Sequence, residues 1–506
     1  MKIKHSIIEI IADTAARRGE SPALFVNGTL HTYDDLLAAA NGIQQSLLAP
    51  DFSKEKLVGI ITADDFHTYA SLLAIMSAGM AYVPINRMNP PARSRAVVEQ
   101  ARLNLVLSSV ATLQSETATA LADSVQIMNT CDIAPVTGPL HVADISADQT
   151  AYLLFTSGST GVPKGVPIKH CHLNSFMQSV TFECGYNFSE SDRFLQMFEL
   201  TFDLSVMSTF VPWIVGACCY VVPERGISYL NIIDLLDKHR ITVALMVPSA
   251  LAYMQRFFDE ISFPDMRISL FCGEALDHDL VAAWSKTIPN ARIENVYGPT
   301  EATVFCTRYP WIEGESREQS VNGIVPIGVA MPNLRTYVVD NSDNLCDSGE
   351  KGELCLAGDQ VMDRYWRDQE KTKDAFVPDA TDSVPERAYR TGDIVFINQY
   401  GNIIYSGRLD SQVKIDGHRI ELAEIEHFAR KFIRHSMVAA IVSNDETGRP
   451  VIDLYIQNGD YAIEDLKAFL ASELPTYMQP RNICLLDKMP LNLNGKIDRK
   501  QFISVP

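Results

Sequence analysis

The chain has 506 residues, of which 47% are hydrophobic and 21% charged, a globular composition rather than a disordered one. Its 43 basic and 62 acidic residues leave a formal charge of −19. That balance argues against a non-specific nucleic-acid or anionic-membrane binder, both of which need an excess of Lys and Arg.

In chain order, the first stretch carries Glu9 and Asp13, which interrupt any apolar run of the kind a signal peptide needs. Its period predicts an amphipathic helix after a Ser6 cap. No apolar run reaches the ~18 residues of a membrane span, so a cytoplasmic location is expected. Two strands flanking Asn27-Gly28 read as a hairpin, and Thr32 caps a helix through about Ser46. Apolar strands at "LVGIITA", "AYVPI" and "LNLVLSS" alternate with helices at "FHTYASLLAIMSAG" and "ARSRAVVEQA". This alternation predicts βαβ units and a covered parallel sheet. The pattern returns at "AYLLF" and "GVPI", then a helix from about His170, then "ITVALMV", "ISLFC" and "IENVY". From about Ile327 short segments with Gly, Asn and Asp turns predict antiparallel strands. After Asp410 helices are expected at about Leu422–Phe432 and Ile463–Ser472. The ten cysteines include no CxxC pair and sit in apolar surroundings, predicting buried free thiols in a reducing compartment.

Four segments carry chemistry. The first follows a buried strand: Thr156, Ser157, Gly158, Ser159, Thr160 and Gly161, then Lys164. Glycines let backbone N–H groups curl around an anion, while hydroxyls and an ammonium add donors and charge. The spacing is not that of a Walker A loop. In the second, Tyr297-Gly298-Pro299-Thr300-Glu301, the tyrosine offers a stacking face and the carboxylate a hard oxygen for Mg2+. The third places Asp393 beside a glycine turn, with Arg408 downstream, a pairing that suits ribose hydroxyls. The fourth is Asn494-Gly495-Lys496, whose lysine taken alone reads as solvated.

In this order the four segments resemble the core motifs of the adenylate-forming superfamily, which includes acyl-CoA synthetases and nonribosomal peptide adenylation domains. The resemblance runs from about Ile8 to Lys500 through "TSGSTGVPKG", "YGPTEAT", "YRTGD", "GRLDSQVKIDGHRIELAEIE" and "NGKIDRK". It implies an α/β fold: a large N-terminal lobe (1–409) of layered αβ subdomains plus a β-barrel-like part, and a small mobile α+β C-terminal lobe (410–506) hinged at Asp410. It also implies ATP and Mg2+ as cofactors. The Thr156–Lys164 loop would hold the β- and γ-phosphates, and Tyr297 would stack on adenine. Thr300 would meet the α-phosphate, Glu301 the metal, and Asp393 with Arg408 the ribose. Lys496 would bridge the reacting carboxylate and the α-phosphate. Rotation about Asp410 would then present Gly417 to a pantetheine thiol.

The resemblance also implies the acid. Asp203 in "TFDLSV" matches the residue that holds a substrate α-ammonium; its alternative is a structural helix cap. Leu204, Met207, Leu245, Leu270, Cys272, Val296, Val304 and Phe305 correspond to the remaining specificity positions, an uncharged set that implies a small amino acid. The sequence looks most like D-alanine–carrier protein ligases, with Val296 and Phe305 departing from that pattern; glycine, L-alanine, serine and proline stay open. The expected partner is a phosphopantetheinylated acyl or peptidyl carrier protein acting in trans, docked where Arg430, Lys431 and Arg434 cluster; no nucleic acid and no membrane are expected. The other reading is an acyl-CoA synthetase-like ligase using coenzyme A, against which Asp203 argues.

Overall fold

The computed structural model describes residues 3, 6–158, 162–224, 226–377, 384–409, 412–433, 437–446, 448–457, 462–490, 497 and 499–504. Two large sheets form the N-terminal part. One has nine strands in the order Val329–Ala330, Thr307–Trp311, Arg292–Tyr297, Ile268–Phe271, Val243–Met246, Arg193–Gln196, Cys218–Val221, Pro22–Val26 and Thr29–Thr32. From Arg292–Tyr297 through Pro22–Val26 neighbouring strands run parallel. The other has six strands, Gln126–Asn129, Leu105–Ser108, Leu57–Thr62, Ala81–Asn86, Thr150–Thr156 and Lys164–Lys169. It is parallel except at its last pair, where Lys164–Lys169 returns antiparallel along Thr150–Thr156. The anticipated phosphate loop therefore leaves from and returns to paired strands, at Thr156 and Lys164.

Local signals explain most elements. Ser6 accepts the Ile8 N–H at 3.2 Å and caps Ile7–Arg18. Thr32 and Asp35 form a reciprocal capping box for Tyr33–Leu47, satisfying two donors a helix start leaves open. The central strands Leu57–Thr62 and Ala81–Asn86 are buried along their whole length, as parallel strands covered on both faces must be.

Where a barrel-like part is expected, Leu334–Val339, Gly352–Gly358, Tyr389–Ile397 and Ile403–Arg408 form an open four-stranded antiparallel sheet whose first and last strands do not pair. Beyond it, the hairpin Gln412–Ile415/His418–Glu421 leads into the helix Leu422–Ile433. The strands Val438–Asn444, Pro450–Gln457 and Asn482–Leu486 then form a sheet beside the helix Ile463–Glu473. These C-terminal elements bury their own cluster, including Ile420, Ile425, Leu454 and Leu466. All ten cysteines are free, but Cys131, Cys171, Cys346 and Cys484 are only half-buried, so the expectation of buried thiols holds for six. Among the described residues no helix is long and apolar enough to cross a membrane.

Candidate active site

Parallel strands deliver their following loops to one edge of a sheet, and ligand sites form there. Both large sheets do this toward a shared cleft. Thr156 ends one strand, Tyr297 ends another and Cys272 follows a third. The cleft encloses and opens onto about 1110 Å³ of atom-free space. Thr156, Ser157, Asp203, Leu204, Cys272, Tyr297, Thr300, Asp393, Arg408 and Gly417 all line it. Residues from three of the four motifs, distant in sequence, thus meet in one place. Ser159, Thr160, Gly161, Asp410, Arg434 and Lys496 lie outside the described residues.

Arg408 Nη1 donates to Asp393 Oδ1 at 2.6 Å, and the Tyr297 hydroxyl donates to the other oxygen of that carboxylate. Tyr297 and Asp393 are buried. These two, with Arg408 and Lys414, also wall a second hollow on the far side, which Val296 lines. The Lys414 ammonium stands 5.6 Å from the Tyr297 ring centre, a cation–π distance.

Glu301 is fully buried and occupied at both oxygens. Oε1 accepts the Tyr365 hydroxyl at 2.7 Å and lies 3.3 Å from Lys164 Nζ; Oε2 accepts Arg419 Nη1 at 2.8 Å. Burial alone would push this carboxyl up, but the charges of Arg419 and Lys164 and the tyrosine bond outweigh it and hold it well below the carboxylate range. Burial and the repulsion of Arg419 push Lys164 down. Glu301 is the residue expected to ligate Mg2+. In this arrangement two cations already hold it, so the residues present do not fit a divalent ion, and no step is derived through one. Among the described residues no group of three or more His, Cys, Asp and Glu could hold a metal.

Asp203 differs. It stands at the N-cap of the helix Leu204–Val215, yet its side chain accepts no bond from that helix. Among the described residues it forms no ion pair. Burial pushes its carboxyl up to about 6, against the Thr300 hydroxyl and the charge of Lys414. The capping alternative is thereby removed. Of the expected pocket residues, Leu204 and Cys272 face the cleft and Val296 its neighbour. Met207, Leu245, Leu270, Val304 and Phe305 are buried and line neither hollow. Burial pushes the Cys272 thiol up to about 12, so it acts as a small neutral group. Thr303 and Val304 sit in the left-handed region, at φ 56° and 73°. Gln360 Nε2 holds that turn, donating to the carbonyls of Ala302, Thr303 and Phe305.

The C-terminal hairpin enters the cleft. Its turn, Asp416-Gly417, has φ 50° and 79°, as a two-residue type I′ loop requires. A Cβ on Gly417 would lie 2.6 Å from Val247 Cγ1, so only glycine fits, and the Gly417 N–H donates to Glu274 Oε1 at 2.7 Å. Ser157 Oγ donates to the Arg419 carbonyl at 2.8 Å. Glu424, fully buried, accepts Arg93 Nη1 at 2.7 Å on one oxygen and the Gly158 N–H at 3.2 Å on the other. The charges of Arg430 and Lys431, expected to be free for a partner, are shared with Glu426 and Glu473.

Sequence reasoning missed Arg93, Glu274, Gln360, Tyr365, Lys414, Arg419 and Glu424. Lys414, Arg419 and Glu424 fall inside the segment "GRLDSQVKIDGHRIELAEIE", so their neighbourhood was marked. Arg93, Gln360 and Tyr365 stand in no local pattern.

Comparison with known proteins agrees with this geometry. The chain is 32% identical over 501 residues to Gramicidin S synthase 1 of Brevibacillus brevis, covering 98% of this chain and 44% of that one. It is 33% identical over 505 residues to Tyrocidine synthase 3 of Brevibacillus parabrevis, covering 97% of this chain and 7% of the relative. It thus spans less than half the length of these relatives. Its fold matches the Vibrio cholerae adenylation domain AlmE, solved in complex with glycyl-adenosine-5'-phosphate, with a TM-score of 0.86 at 25% identity over 99% of this chain and 98% of that one. Residues 11–366 match the AMP-binding enzyme model, and the chain belongs to the AMP-binding enzyme family.

Proposed function

We propose that this chain activates a small amino acid as its aminoacyl-AMP and passes it to the phosphopantetheine thiol of a carrier protein, with D-alanine as the leading substrate. The observation that carries this reading is Asp203: a half-buried carboxylate that caps no helix N–H and forms no ion pair among the described residues, in the same cleft as Tyr297, Asp393 and Arg408. A carboxylate drawn out of water gains from a cationic partner, and a substrate ammonium supplies one. Leu204 and Cys272 line the same cleft as Asp203 and offer no charge to an ionic side chain. The glycyl adenylate in the AlmE structure supports a small amino acid.

In the first step a substrate carboxylate oxygen attacks the α-phosphorus of ATP, and the bond to pyrophosphate breaks. In the second the thiolate sulfur attacks the acyl carbon, and AMP leaves with the oxygen. The protein positions the reactants and stabilises charge. Gly417 in the cleft supports an arrangement suited to the second step; Lys496 as the bridging cation of the first, and Asp410 as hinge of a mobile 410–506 lobe, rest on the resemblance. Asp203 disfavours the coenzyme A alternative.

Amino-acid-dependent pyrophosphate–ATP exchange across D- and L-isomers tests the reading. D-alanine, or another small amino acid, should support exchange, and Asp203→Ala should lower kcat/KM for it by about 10²-fold or more, the loss expected when one partner of a buried pair goes. Exchange driven only by acids lacking an α-ammonium would overturn it.

A further inference from the structure

Glu274 directly follows Cys272 and Gly273, which line the cleft. Its half-buried carboxylate spends one oxygen on each part of the molecule. Oε1 accepts the Gly417 N–H of the C-terminal hairpin at 2.7 Å, and Oε2 accepts the Ser249 N–H of the helix Pro248–Met254 at 2.8 Å. No ion pair competes for it among the described residues. The turn that Glu274 grips is met on both flanks. On one, Val247 leaves no space for a Cβ at Gly417, and the Tyr253 hydroxyl donates to Asp416 Oδ1 at 3.2 Å while the Arg449 guanidinium lies 4.2 Å from the Tyr253 ring centre. On the other, His418 stacks on Tyr477 at 3.9 Å and meets the edge of Phe202 at 4.5 Å. A hydrogen bond to an ionised acceptor is roughly twice as strong as a neutral one. Of the two such bonds at this turn, the one from Gly417 to Glu274 is the shorter.

We infer that Glu274 is a positioning residue for the transfer step: by tying the Gly417 N–H to the start of the helix Pro248–Met254, it seats the turn beside which the acceptor thiol reaches the acyl carbon. The inference rests on the two-step reading of the proposed function, in which Gly417 serves the second step and a different placement of the C-terminal part serves the first. A group that bonds one of two arrangements biases their populations by the difference it makes. Removing Glu274 takes a bond from the seated arrangement alone, so transfer falls relative to adenylate formation. A residue that merely held the fold together would depress both steps alike. The placement also joins the seat to the amino-acid end of the cleft, because Glu274 adjoins Cys272-Gly273 and Phe202 adjoins Asp203.

The experiment compares two rates on the whole chain: amino-acid-dependent pyrophosphate–ATP exchange, and thioester formation on added pantetheine with the same amino acid. Glu274→Ala should lower the ratio of transfer to pyrophosphate exchange about tenfold, one charge-assisted bond's worth. Glu274→Gln keeps an oxygen for the Gly417 N–H but loses the charge, and should recover part of that ratio. An unchanged ratio, or equal loss of both steps, would overturn the inference. Should Glu274→Ala not fold, Glu274→Gln still decides, because its ratio must fall in the same direction by a smaller factor. A second readout is independent of the reaction. Amide hydrogen–deuterium exchange should find the Gly417 N–H protected in the parent and released about tenfold faster in Glu274→Ala; equal rates would also overturn the inference. If no amino acid drives pyrophosphate exchange in the parent while Glu274 still protects Gly417, the proposed reaction fails and the seat stands.

Discussion

The two ends of the cleft handle charge in opposite ways. At the loop end buried Glu301 pairs with Arg419 and Lys164, and buried Glu424 pairs with Arg93. At the other end Asp203 is left with a hydroxyl and a distant ammonium. A paired buried cluster costs its partners dearly when one member is removed, whereas a half-buried carboxylate without an ion pair has no such partner to strand. The contrast teaches that at the loop end the protein's own groups satisfy each other's charge, whereas among the described residues no cation does so for Asp203.

The largest expected break in this contrast is Glu301→Gln. It leaves Arg419 and Lys164 without a counter-charge, and denaturant unfolding should show a loss of about 3 kcal/mol. The sign with pH follows from the depressed carboxyl: its stabilisation is present above the pH range where an unfolded glutamate titrates, and is lost as pH falls through its folded value. Unaltered unfolding would mean that the three groups do not act as a unit. Next comes Gln360→Ala, which frees three carbonyls of the Ala302–Phe305 turn; a loss of about 2 kcal/mol is expected, with KM for the amino acid rising if the turn supports the pocket.

The smallest effect sharpens the other end. Because burial raises Asp203 to about 6, the free enzyme's kcat/KM for the amino acid should be constant at neutral pH and fall about tenfold per unit below pH 6. Asp64, pushed up to about 7 by burial and by Glu199, is a second carboxyl near that range. Asp203→Asn distinguishes them: the acid limb should vanish in that variant, and its survival would assign the limb elsewhere.

Much of the scaffold was legible in the sequence because the signals were local. The Asn27-Gly28 hairpin, the Thr32 cap and the strand before the phosphate loop each follow from a few neighbouring residues. The site was legible only where motifs marked it. Arg93 and Glu424 are 331 positions apart, and nothing in either neighbourhood names the other. The apolar specificity positions show a different limit. Met207, Leu245 and Leu270 have the chemistry of a pocket wall, yet packing turns them into the core, and hydrophobicity alone does not distinguish a wall from what stands behind it. The antiparallel strands expected from about Ile327 are present, and the β-barrel-like part takes the form of an open four-stranded sheet. Antiparallel strands with short turns form open sheets as readily as barrels, and only the pairing of the first and last strands separates the two.

The turn at Thr303–Val304 bears on how far this part of the chain can drift in sequence. A β-branched residue held at φ 73° stores roughly 1–3 kcal/mol, and Gln360, just past the strand Gly352–Gly358, holds the turn there. A residue that lets the backbone relax at 304 would carry those carbonyls away from the Gln360 amide, so changes at 304 and 360 should appear in pairs rather than one residue at a time.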